Sequence, residues 1–216
     1  MAKLSGQFQF QGKVGNLVGC RGPFGYYIRH LPAATAKAPT PAQLAVRQRM
    51  KIVVAFLAPL RSAIYQGFCG PGRLNKTAAF NRATSHALNH AVRGTYPDLA
   101  IAPEGVLLSR GPLAGLFNPA CVLLDGRIRL TWANAGSVFT AHDDDVVSLL
   151  IYNPQAGTAQ LTEGPREACT ATLSVADEPP GSRLLAYAYA CSRQGKRYSD
   201  SQFLGEFVVE GGDDDA

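Results

Sequence analysis

The chain has 216 residues, 46% of them apolar and 17% charged, which is enough to bury a real core and too apolar for a disordered segment. That length holds one large domain or two of about a hundred residues each. The formal charge of +5 hides an asymmetry: residues 1–97 hold 13 Lys or Arg and no Asp or Glu, while residues 98–216 hold the other 8 bases and all 16 acids.

The start, Met1 to Gln7, turns polar before an apolar signal-peptide core could form. The longest apolar run, Ile52 to Leu60, falls short of the roughly 20 residues of a transmembrane helix. Cys20, Cys69, Cys121, Cys169 and Cys191 are odd in number and form no C-x-x-C pair. They read as free thiols in a reducing compartment. A cytoplasmic location with no membrane association is expected, with leaderless release left open.

Gln7 to Gln11 alternates Gln and Phe, as a strand does. Val14 to Cys20 and Tyr26 to Arg29 flank a wide turn over Arg21 to Gly25, which predicts a hairpin. Leu31 to Pro41 has no periodicity and reads as a tether. Thr40-Pro41-Ala42-Gln43 has the form of a capped helix start, with Pro59 as the stop. The second half of that helix, Val53 to Leu57, is apolar on all sides and is expected to be buried. Leu60 to Phe68 could continue it before Gly70-Pro71-Gly72 breaks the chain. A second helix is expected from about Lys76 to Arg93, with Gly94 as its stop. Its polar side carries Asn81, Arg82, Ser85, His86, Asn89 and Arg93. Short extended pieces follow at Leu99–Ala102 and Val106–Ser109.

Beyond Arg110 the texture becomes strand and turn. Strands are expected at Cys121–Leu124, Arg127–Trp132, Val146–Tyr152, Thr158–Leu161, Thr170–Val175, Leu184–Cys191 and Gln202–Val209. Asp125-Gly126 is a strong hairpin signal between the first two. On Leu184–Cys191, Tyr187 and Tyr189 share one face and Ala186, Ala188 and Ala190 the other. The fold class predicted is α+β: an N-terminal β-hairpin plus two or three helices, then an immunoglobulin-like antiparallel β-sandwich. The expected domains are 1–110, a basic hairpin-and-helix region, and 111–210, the sandwich, with 211–216 an acidic mobile tail.

Gly126 to Trp132, with the later Leu184–Cys191 strand, resembles the tryptophan and tyrosine strands of fibronectin type III or immunoglobulin-like modules. The whole chain resembles an uncharacterised bacterial family, common in Bacteroidota, of similar length. The matching pieces are Gly12 to Gly19, Thr40-Pro41-Ala42-Gln43, Ala79-Phe80-Asn81, Gly94 to Asp98 and Leu107 to Pro112. The Thr40 helix start with its nearby arginines is also similar to phage- and prophage-associated proteins. These resemblances imply architecture and carry no functional residue to this chain.

No G-x-S-x-G, C-x-x-C or H-E-x-x-H motif occurs. His86 and His90 have a spacing that can place two imidazoles on one metal, but no carboxylate precedes Asp98 to complete a site. Asp143-Asp144-Asp145 lacks the spacing of a calcium loop and reads as an exposed turn. No catalytic residue, cofactor, metal site or small-molecule substrate is therefore expected, and the protein reads as a non-enzyme.

The excess positive charge repels itself unless something anionic offsets it. One offset is a second copy of the chain, its acidic half docked on the basic half in a head-to-tail homo-oligomer, ring or filament, with strand augmentation as the contact. The other is nucleic acid, met by Arg21, Arg29, Arg47, Arg49 and Lys51 near Phe24, Tyr26 and Tyr27. Mutual neutralisation of the two halves within one chain is the third arrangement. The expected function is a structural or assembly subunit, with nucleic-acid binding as the alternative.

Overall fold

A computed structural model describes residues 2–3, 10–33, 38–68, 75–133 and 140–209. Most of the Gln7–Gln11 strand, Cys69, the Gly70-Pro71-Gly72 break, the middle of the tether and the 211–216 tail lie outside the described residues. The chain forms two compact units, Met1–Thr40 and Pro41–Ala216. The boundary expected between 110 and 111 thus falls inside the second unit.

In the first unit β1 (Ala2–Lys3), β2 (Gly12–Val14), β3 (Leu17–Gly22) and β4 (Gly25–His30) form an antiparallel sheet in the order β1-β4-β3-β2. Val14 pairs with Leu17, so the strand expected to run unbroken from Val14 to Cys20 reverses at Gly15-Asn16, where Gly15 takes a φ of 58°. Gly22 pairs with Gly25, so the hairpin turn is Pro23-Phe24 alone, tighter than expected. Gly19 lies under Phe10, whose carbonyl oxygen would sit 2.3 Å from any added Cβ. Among the described residues of this unit, only that glycine is buried.

The second unit opens with α1 (Pro41–Leu57), α2 (Arg61–Gly67) and α3 (Lys76–His90). Helix α1 starts at Pro41 and stops ahead of Pro59, as its sequence predicts. Val53 and Leu57 are buried, but Ala55 is exposed, so the apolar half is covered on one side and not all round. Asn75 caps α3 by accepting a 2.7 Å hydrogen bond from the Ala78 N–H. The helix ends three residues before the expected limit. Val92–Thr95 is instead strand β5, paired in a hairpin with β6 (Asp98–Ile101). Gly94, expected as a helix stop, has a φ of 83°, and a Cβ there would lie 2.2 Å from the Asp98 carbonyl oxygen. It permits the hairpin's close approach.

The remaining strands are β7 (Phe117–Leu124), β8 (Arg127–Ala133), β9 (Val146–Asn153), β10 (Thr158–Pro165), β11 (Thr170–Ser174), β12 (Arg183–Cys191) and β13 (Gln202–Val208). They form a three-stranded sheet, β11-β8-β7, and a four-stranded one, β10-β9-β12-β13, both antiparallel. This is the antiparallel β-sandwich that the sequence predicts. Asp125 and Gly126 both take positive φ, 50° and 65°, as a two-residue hairpin turn requires. Strand β7 starts earlier than expected, because a bulge between Phe117 and Ala120 accommodates Pro119.

One apolar cluster lies between the sheets, where Ile128, Leu130 and Trp132 of β8 join Val147, Leu149 and Ile151 of β9 and Ala186 and Ala188 of β12. The other face of the four-stranded sheet is also covered. Leu150, Tyr152, Leu185 and Tyr187 join Val53, Leu57, Ile64, Ala79, Ala83 and Ala87 in a second cluster. Phe56 meets Tyr152 edge-on at 5.1 Å, and the Tyr187 hydroxyl donates to the Pro103 carbonyl at 2.9 Å. Helices, four-stranded sheet and three-stranded sheet are therefore successive layers. Burial on both faces is why β9 and β12 read as nearly continuous apolar runs, whereas β8 alternates. Each fully buried Leu or Ile contributes about 1.5–3 kcal/mol.

Candidate functional site

Of the five basic residues expected to meet a polyanion, Arg21 and Arg29 lie in the first unit and Arg47, Arg49 and Lys51 in the second. Strand pairing sets Val18 beside Arg29 and Arg21 beside Tyr26, so Arg29 and Arg21 point to opposite faces of the first unit's sheet. The Arg21 guanidinium lies 5.7 Å from the centre of the Tyr26 ring. On α1, Arg47 and Lys51 are one turn apart, exposed and on one stripe. Arg49 faces elsewhere and donates to the Leu88 carbonyl at 3.0 Å, tying α1 to the last turn of α3. Arg47 and Lys51 thus come together, and Arg49 has an internal role.

The acidic half pairs with itself. The ion pairs among the described residues are Arg166–Asp145, Arg183–Glu206 and Arg193–Asp144, all between residues beyond 98. Within the second unit, none of the basic side chains of residues 41–97 takes part in one, among the described residues. Several lean instead on aromatic faces, Arg61 on Phe80 at 5.2 Å and Lys76 on Tyr65 at 5.8 Å. Asp145 departs from the exposed turn expected for Asp143-Asp144-Asp145. It is buried, contacts Arg166 Nε at 3.5 Å and accepts from the His142 N–H at 2.9 Å. Arg166 also donates to the carbonyls of Gly115 and Ala114, and its own carbonyl accepts from the Trp132 indole.

A polar cleft of about 450 Å³ opens beside α3, lined by Phe68, Arg82, Ser85, His86, Asn89, His90 and Arg110. Arg82, His86 and His90 recur at four-residue spacing on one helix face, and the two imidazole centroids are 4.4 Å apart. Arg110 reaches the cleft from a distant stretch of chain, held by backbone close packing. Its N–H donates to the Gly67 carbonyl at 3.1 Å, and a Cβ on Gly67 would lie 2.4 Å from that of Ser109. Buried serines fix the same stretch: Ser109 Oγ donates to the Ser199 carbonyl at 2.7 Å, and Ser201 Oγ accepts from the Leu108 N–H at 2.8 Å. Burial, then the charges of His90 and Arg110, hold the His86 pKa below its usual value, with Asp200 opposing them.

The helical side of this cleft was legible in the sequence as a polar face, but its second guanidinium was not. Arg110 supplies it, and no local pattern connects that residue to α3. Among the described residues no group of three His, Cys, Asp or Glu side chains is placed to hold a metal ion. No helix among them is long and apolar enough to cross a membrane.

Residues 9–205 match DUF6266, a family of unknown function, and the chain belongs to that family. None of the curated proteins matches it. Among solved structures it is similar to the FN1–FN3 domains of chicken CNTN1, at 12% identity and a TM-score of 0.36 over 48% of this chain and 34% of that one. It is similar to the fn3 domain of the human collagen alpha-1(XX) chain, at 16% identity and a TM-score of 0.33 over 50% and 94%. A cytokine receptor complex gives 16% identity and a TM-score of 0.34 over 58% and 66%. The chain spans about a third of the length of the first of these.

Proposed function

We propose that this member of the DUF6266 family is a non-enzymatic assembly subunit. The basic first unit of one copy docks on the acidic sandwich of the next, head to tail. The observation that carries this reading is the first unit's sheet, whose described residues include no buried side chain. Val14, Leu17, Phe24 and Leu31 are exposed there, Phe24 at 91%. Short strands without a covered face are marginal alone, so such a sheet gains stability by covering one. Charge selects the occupant. The first 97 residues carry thirteen Lys or Arg and no acid, while the rest of the chain carries a net −8.

Light scattering on nuclease-treated full-length protein tests this reading. Oligomers should form at low salt and dissociate as salt rises, and Phe24→Ser with Arg29→Glu should shift the population to monomer. A monodisperse monomer at low salt and high concentration overturns the proposal. Binding to random nucleic acid that weakens 10³-fold or more between about 50 and 200 mM salt would favour a nucleic-acid partner instead.

A further inference from the structure

We propose that the cleft between α3 and Arg110 binds a small phosphate group, free or as a monoester. This rests on the second unit alone and does not depend on the assembly reading. Its polar walls are donors: two guanidiniums, two imidazoles, the Ser85 hydroxyl and the Asn89 amide. Among the described residues no carboxylate lines it. Asp200, the acid whose charge reaches His86, already accepts the Gly111 N–H at 3.0 Å.

Planar guanidiniums from two separate stretches of chain suit a tetrahedral oxyanion, which each can meet with paired N–H groups. The volume of about 450 Å³ exceeds what a bare oxyanion fills and lies in the range of small-ligand sites. Phe68, buried at the end of α2, supplies an apolar wall for the organic part of a monoester. Two guanidiniums, Arg82 and Arg110, line one cleft, so an anion placed between them offsets their mutual repulsion. Arg110 owes its position to the Gly67 contact and the buried serines, so this half of the site is formed before any ligand arrives.

Imidazole resonances of the full-length protein give a direct readout, because the chain has four histidines and only His86 and His90 line the cleft. Titration with inorganic phosphate and with glycerol phosphate should shift these two saturably and leave His30 and His142 in place. Tighter binding of glycerol phosphate identifies a monoester site with Phe68 in contact; equal binding identifies a site for the free ion. Arg82→Gln and Arg110→Gln, both at exposed positions, should each weaken binding about tenfold, equivalent to 1.4 kcal/mol, with unchanged thermal unfolding. The proposal is overturned by the absence of saturable shifts, by all four histidines moving together, or by arginine variants that bind as wild type. Shifts produced by an oligonucleotide but by neither phosphate compound also overturn it.

Discussion

Arg166 and Asp145 tie three parts of the sandwich at one point: Trp132 of β8, the stretch at Ala114-Gly115, and the loop entering β9. Both side chains are almost fully buried, so each depends on the other to offset its lost hydration. Asp145→Ala should therefore cost about 3–5 kcal/mol in urea unfolding, because it leaves a buried guanidinium unpaired. Replacing both residues with apolar side chains of similar volume should recover most of that loss. The sequence gives no sign of this pair, because three consecutive aspartates look like a solvated turn and the partner lies twenty-one residues on. Arg110 is hidden in the same way. Its place beside α3 depends on a glycine more than forty residues earlier, and that glycine's role shows only when the backbones are seen to touch.

At the scale of elements, legibility follows how many faces a segment covers. The alternation of β8 and the turn at Asp125-Gly126 read directly, as each follows from local geometry. Tyr187 and Ala186 were assigned to opposite faces from the sequence, and they enter the helix-side and sandwich-side clusters respectively. Strand β5 did not read, because Ala91 and Val92 extend the helical apolar stripe of α3 before the chain turns away. Strand β12 also contributes to the alkaline limit of the fold. Burial raises the pKa of Tyr187 well above the ordinary phenol range and pushes that of Tyr189 up to about 12. Among the described residues the Tyr189 hydroxyl has no partner at full hydrogen-bond geometry, though Ser148 lies close enough to favour its phenolate slightly. Both rings stay neutral in the fold, whereas an unfolded chain ionises them near pH 10. Stability should thus begin to fall from about pH 9, where the unfolded chain ionises thiols that burial holds neutral, Cys121 pushed up to about 11 and Cys191 also raised. It should fall further above about pH 10 as the tyrosines add their share. Phenolate absorbance should appear together with loss of circular dichroism, and Tyr189→Phe should move that midpoint to higher pH.

For the whole molecule, the α+β class and the sandwich were foreseen, whereas the helices, grouped with the hairpin in the sequence, share their compact unit with the sandwich. Residues 41–110 share an apolar cluster with the four-stranded sheet and belong to the second unit. Composition cannot reveal this, because the charge boundary near residue 98 cuts across the packing boundary near residue 40. The buried residues of both clusters run from Val53 onward, so removing residues 1–40 should leave the second unit folded. Thermal unfolding of the truncated protein should remain cooperative, with a midpoint close to that of the full chain. The same truncation should remove salt-sensitive association while preserving the phosphate response of His86 and His90, since the two proposals rest on different units.

The central sheet's double covering leaves its inner strands, β9 and β12, no outward surface. Recognition by the second unit in this family must therefore be met on β10 and β13, on the outside of the three-stranded sheet, or on the helices. Divergence in specificity among its members should accordingly gather at those margins, while β9 and β12 drift slowly for reasons of packing alone.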